Sequence, residues 1–177
     1  MLRFAILSAF VISAALACNP WPNTTETKVT WWQVSQGPII VTNVNPTDKA
    51  GNPEYPIRLT EPLLIGTTLN NPSSTYTSPN LKQTIKVWQW SVACKWTSVP
   101  TFGLLNNLDA CTNGVPCPIV PGNNQLVNFE LDFSDTPAII GLLKNDKPYQ
   151  LEYILHDTKS DEYLDIIFQA RALTKDD

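Results

Sequence analysis

The sequence predicts an all-β sandwich of about seven strands, and three observations predict it. Apolar and polar residues alternate with a period of two over several stretches, the pattern of a strand with one buried face. Turn residues punctuate those stretches, with 15 prolines in 177 residues, and no segment carries the spacing of an amphipathic helix. Charged residues are only 16% of the chain while six tryptophans are present, which suits a low-charge, aromatic-rich extracellular module.

The first segment reads as a targeting signal. Arg3 supplies a minimal basic start, Phe4 to Leu16 is an apolar run, and Ala15-Leu16-Ala17 is a small-x-small cleavage site. The run is too short to span a bilayer, which needs roughly 20 apolar residues. Residues 1–17 are therefore expected to be removed, leaving 18–177 as a single domain that begins at Cys18. A bacterial lipoprotein acylated on Cys18 is the competing reading, but that signal prefers Leu where Ala15 stands. The sequon Asn23-Thr24-Thr25 marks Asn23 for glycosylation on a eukaryotic secretory route.

The strands follow in order. Thr27 to Val34, Ile39 to Val44 and Ile57 to Leu69 are β-branched or apolar stretches, separated by Gln36-Gly37-Pro38 and by a loop from Pro46 to Pro56. Pro62 puts the third stretch on an edge or at a bulge. Residues Asn70 to Asn80 read as a loop, and Leu81 to Trp96 as one long strand. Val127, Phe129, Leu131 and Phe133 alternate with polar partners, giving a strand with one wet face. Tyr149, Leu151, Tyr153 and Leu155 alternate with Gln150, Glu152 and His156; after Thr158-Lys159-Ser160-Asp161 come Leu164, Ile166, Phe168 and Ala170. These last two strands predict a hairpin.

Cys111-Thr-Asn-Gly-Val-Pro-Cys117 is the most informative short segment, because two cysteines flanking an Asn-Gly turn can close a small disulfide loop. Such a loop needs an oxidising compartment. The other two cysteines are Cys18 and Cys94, and four cysteines formally allow three connectivities.

Composition also excludes functions. Cleavage removes one basic residue, Arg3, of the 12 Lys+Arg, leaving 11 against 16 Asp+Glu, or −5. That balance carries no nucleic-acid footprint. His156 is the single histidine; it falls on the polar register of its strand with no nucleophile motif beside it, so a hydrolase is not expected. One histidine and four oxidised cysteines assemble no metal site. No cofactor is expected.

The segment Asp109-Ala-Cys111-Thr-Asn-Gly-Val-Pro-Cys117-Pro118-Ile119 resembles the Cys-loop-Cys-Pro-Ile element of ML-domain proteins, the lipid-recognition family of the Niemann-Pick sterol carrier, fungal phospholipid transfer proteins and the ganglioside activator. The resemblance extends over residues 80 to 173, through the approach Phe102-Gly103-Leu104-Leu105, the strand Asn124 to Phe133, Pro137 and the final hairpin. One departure stands out: family members commonly tie an N-terminal cysteine to the last strand, and here Glu162 to Ala172 has none. If Cys111 pairs with Cys117, Cys18 is left with Cys94.

What the resemblance implies is an immunoglobulin-like two-sheet sandwich with an apolar cavity between the sheets, holding a sterol, phospholipid or glycolipid in a secreted or lysosomal-lumen protein. Its walls would be Val127, Phe129, Leu131, Phe133, Leu151, Tyr153, Leu155, Ile166 and Phe168, with Val87, Trp88 and Trp90 opposite. Periodicity alone describes the same face as an ordinary packed core. Phe102, Leu104, Leu105, Ile119, Ile139, Ile140, Leu142 and Leu143 fall in loops, either as a cavity mouth that touches membranes or as a satellite core. A protein receptor is a further partner on this reading. The alternative is an immunoglobulin-like adhesion module without a lipid cavity, since Cys18, Trp31 or Trp32, and Cys94 follow the order Cys, Trp, Cys.

Overall fold

In the computed structural model, residues 18–72, 74–133 and 136–175 are described; the predicted signal segment 1–17 lies outside them. Among the described residues ten strands form two sheets. They are β1 (Thr30–Gln33), β2 (Ile40–Thr47), β3 (Ile57–Arg58), β4 (Leu63–Asn71), β5 (Leu81–Trp90), β6 (Trp96–Val99), β7 (Leu108–Asp109), β8 (Gly122–Leu131), β9 (Lys147–Asp157) and β10 (Glu162–Leu173). The larger sheet runs β1-β10-β9-β5-β6, with β3 on β10 and β7 on β5, and the smaller runs β2-β4-β8. This is the predicted all-β sandwich, with ten strands among the described residues where about seven were expected.

The final hairpin is as the alternation predicts. β9 and β10 pair antiparallel from Asp157↔Glu162 to Lys147↔Ala172. Its turn is held by the Asp157 carboxylate, whose Oδ2 accepts from the Ser160 amide and hydroxyl, both at 2.8 Å. Leu164, Ile166, Phe168 and Ala170 face inward with Tyr149, Leu151, Tyr153 and Leu155, and all are buried. Across from them stand Val41, Val44, Leu63, Ile65, Leu69, Val127, Phe129 and Leu131 of the smaller sheet, also buried. Each buried large side chain contributes about 1.5–3 kcal/mol, so this double face dominates stability.

Two strand expectations are corrected. Ile57 to Leu69 is two strands in different sheets, because Pro62 has no N–H to give a ladder and the chain crosses between layers there. Leu81 to Trp96 is a hairpin: Ser91 N donates to Lys95 O at 3.0 Å, and Cys94 has φ +58°. No glycine, proline or asparagine marks that turn in the sequence. It is pinned by a disulfide to Cys18 instead.

Trp88 and Trp90 are corrected as well. β5 turns Leu81, Gln83, Ile85 and Val87 inward, and a period of two then sends residues 88 and 90 to the outer face. There Trp90 meets the N-terminal segment. The Trp90 indole donates to Asn19 O at 2.9 Å and packs on Trp96, with ring centroids 5.2 Å apart. Farther along, the Arg171 guanidinium lies 5.0 Å from the centre of the Trp21 ring. Asn23, which is exposed, donates from Nδ2 to Gln169 Oε1 at 2.7 Å. The N-terminal segment thus crosses the outer face from the disulfide at Cys94 to β1 on the far edge.

Candidate functional site

The second disulfide closes Cys111 to Cys117, with Cα atoms 5.4 Å apart, and positions a loop between the two sheets. Asp109 caps its first turn by accepting from Cys111 N at 3.1 Å. Gly114 has φ +94°, and a Cβ there would stand 2.0 Å from Glu130 O, so only glycine lets the loop lie against β8. Glu130 N then donates to Gly114 O at 2.8 Å. From the other sheet, Gln83 Nε2 donates to Asn113 O at 3.0 Å. The loop is a strut fastened to both layers.

Beside that strut lies an open cleft of about 320 Å³, lined by Gln83, Ile85, Leu105, Thr112, Asn113, Gly114, Glu130, Leu131, Asp132, Phe133 and Thr136. Its floor is apolar and its rim polar. No lysine or arginine lines it. A volume of this size, with a few convergent polar groups, falls in the range of small-molecule sites.

Among the described residues, two small cavities lie behind the floor and a third lies farther along the sandwich. One, of about 20 Å³, is lined wholly by apolar side chains or tyrosine, among them Leu63, Val87, Leu131, Phe133, Tyr149 and Leu151. A second, of about 10 Å³, is bounded by Phe129, Leu131, Tyr153, Ile166 and Phe168. The third, also about 10 Å³, sits at the opposite end against Tyr76, Ile119 and Leu155. These volumes hold about one water each. The expected ligand-sized apolar cavity is therefore corrected: the sheets are closed on their own side chains rather than splayed, and leave only these small voids.

Leu131 lines the cleft and the two nearer cavities, and Phe133 lines the cleft and the larger cavity. Two side chains thus stand between the cleft and the apolar space behind it. Of the predicted wall residues, Val87, Phe129, Leu131, Phe133, Leu151, Tyr153, Leu155, Ile166 and Phe168 border these spaces, and Val127 is buried on the same face.

The predicted mouth does not come together. Ile119 is buried at one end, where it exchanges backbone hydrogen bonds with Tyr76, both at 3.0 Å. Ile139 and Leu143 border the larger cavity at the other end, on and after a single helical turn, α1 (Pro137–Ile140), with Ile140 partly buried beside them. Leu105 is buried and closes the cleft, its carbonyl accepting from Ile85 N at 2.9 Å. Phe102, Leu104 and Leu142 are exposed. Loop assignment in sequence carries no information about which end of a sandwich a loop covers.

Sequence reasoning missed Gln83, although a signal exists: it is the single polar residue in the row Leu81, Gln83, Ile85, Val87. Its Oε1 accepts from the Tyr153 hydroxyl at 2.8 Å. Burial raises the Tyr153 hydroxyl pKa well above its ordinary value, so that group stays a neutral donor. Ala170, which the alternation does place on the inner face, and Ala172, Ile57 and Leu59, which lie outside the clear alternating rows, also border the larger cavity and were not named as walls.

No protein-family model and no curated protein matches the chain. Among solved structures, it is similar to a Niemann-Pick type C2 protein from the Japanese carpenter ant, with 8% identity and a TM-score of 0.42 over 81% of this chain and 98% of that one. At that identity and score the likeness carries no argument about ligand or activity.

Proposed function

We propose that this protein binds a single amphiphilic lipid, with the polar end in the cleft beside the disulfide loop and the apolar end passing Leu131 and Phe133 into the space between the sheets. The observation that carries this reading is the shared floor: Leu131 and Phe133 line both the cleft and the small apolar cavities between the sheets. Void-lining atoms lack partners on one side, so an apolar chain that displaces the floor gains contacts the closed state does not have. Burial then favours it by about 25 cal/mol per Å².

The cleft's lining favours an uncharged or hydroxyl-bearing head group, because two carboxylates and no basic side chain border it. Sterols and glycolipids fit that description better than anionic phospholipids. The role is that of a carrier rather than a catalyst, with His156 held by Asp161 at 2.9 Å and stacked on Tyr163 outside the cleft. Two disulfides favour an oxidising compartment, either extracellular or lysosomal, after removal of residues 1–17. Among the described residues no helix is long and apolar enough to cross a membrane.

Mass spectrometry of an organic extract from natively purified protein tests the reading. A stoichiometric lipid supports it. Absence of any extracted lipid, together with no saturable uptake of a long-chain fluorescent probe, would leave the adhesion module as the better account.

A further inference from the structure

Gln83 is 3% exposed and points into the sandwich between Leu81 and Ile85, a place where an unpaired amide is costly. Its hydrogen bonds use half of its capacity. A primary amide has two donor protons and two acceptor positions; one proton goes to Asn113 O and one lone pair to the Tyr153 hydroxyl. Fastening the disulfide loop accounts for the first bond. The second joins two polar groups at the boundary of two spaces, since Gln83 lines the cleft and Tyr153 lines the central cavity.

We propose that Gln83 and Tyr153 form a polar anchor, a specificity-determining pair that takes the hydroxyl of an uncharged amphiphile through the remaining amide proton, the remaining carbonyl lone pair and the phenol oxygen. This rests on the reading of the cleft as a lipid site. A hydroxyl both donates and accepts, so it satisfies the anchor on both sides. An ether at the same position accepts only. A carboxylate would face Glu130 and Asp132 at the rim with no basic side chain among the cleft's lining residues, and is disfavoured by charge rather than by the anchor.

These two sources of selectivity separate by experiment. The probes are a pyrene-labelled long-chain alcohol, its methyl ether and the matching carboxylic acid, titrated into wild type, Gln83→Leu and Tyr153→Phe near neutral pH, with a thermal melt of each protein. Wild type is expected to bind the alcohol about 10-fold more tightly than the ether, the size of one neutral hydrogen bond. Gln83→Leu should bring alcohol and ether within about 3-fold while the acid stays weak. If Gln83→Leu loses the fold by releasing the disulfide loop, Tyr153→Phe decides the matter, since it keeps the ring and should narrow the preference in the same direction. Equal binding of alcohol and ether by wild type overturns the anchor but leaves the lipid site standing. So does an undiminished preference in a folded variant. Binding of no probe at all removes the lipid site, and the anchor with it.

Discussion

Asp165 and Glu152 act on each other as like charges on the outer face of the larger sheet, with Lys86 Nζ 3.0 Å from the Glu152 carboxylate. Asp165 Oδ1 is enclosed without a hydrogen-bond partner. Burial first, and then the neighbouring Glu152 charge, push the Asp165 carboxyl up to about 6, against a smaller opposing effect of Lys86. An acid whose folded-state pKa is raised contributes stability that is complete below its unfolded pKa of about 3.8 and lost as pH rises through about 6.

The melting temperature is therefore expected to fall between about pH 4 and pH 7, with Asp165→Asn flattening that slope and melting higher than wild type at neutral pH. Asp48, Asp109 and Asp146 have lowered pKa values, so their contributions are lost only at more acid pH and do not mask the effect. Thermal denaturation followed by circular dichroism across this range checks it. An unchanged slope in Asp165→Asn would assign the pH dependence elsewhere.

Gly114→Ala is expected to destabilise the protein by about 2 kcal/mol, since the new methyl meets Glu130 O and the left-handed backbone is itself strained for alanine. The substitution should also loosen the Asn113 link to Gln83 and weaken probe uptake. Urea unfolding and titration measure the two effects separately. A variant as stable as wild type would mean that the loop does not lie against β8 in solution.

Ile139→Ala should cost about 2–4 kcal/mol, because the side chain is only 1% exposed and caps the larger cavity. Three residues on, Leu142 is 44% exposed, and Leu142→Ser should stay within about 0.5 kcal/mol of wild type. Chemical denaturation of the pair tests whether this turn is core on one side and rim on the other. Equal effects would contradict the burial difference.

Phe133→Ala removes half of the partition between cleft and interior, and here stability and binding are expected to move in opposite directions. The fold should lose about 3–5 kcal/mol, while a long-chain probe binds more tightly because the cavity it must enter is already open. Melting and titration on the same preparation provide the comparison. Loss of both together, in protein that remains folded, would show that Phe133 is a contact for the chain rather than a barrier to it.

Alternation in the sequence settled which side of each long strand is buried, because side chains in an extended backbone point to opposite faces by geometry alone. β8, β9 and β10, with their inward rows at Phe129, Tyr153 and Phe168, were legible for that reason. So was the small disulfide loop, whose cysteines and Asn-Gly turn are neighbours in the chain. What only the tertiary structure decided depends on residues far apart in sequence. The Ser91 to Lys95 turn is held by Cys18, Pro62 passes the chain from one sheet to the other, and Ile119 and Ile139, both apolar residues in loops, close opposite ends of the sandwich. The partition at Leu131 and Phe133 belongs to the same class: a periodic pattern states that a side chain is inside, while the volume left around it is set by how closely two independently formed sheets pack.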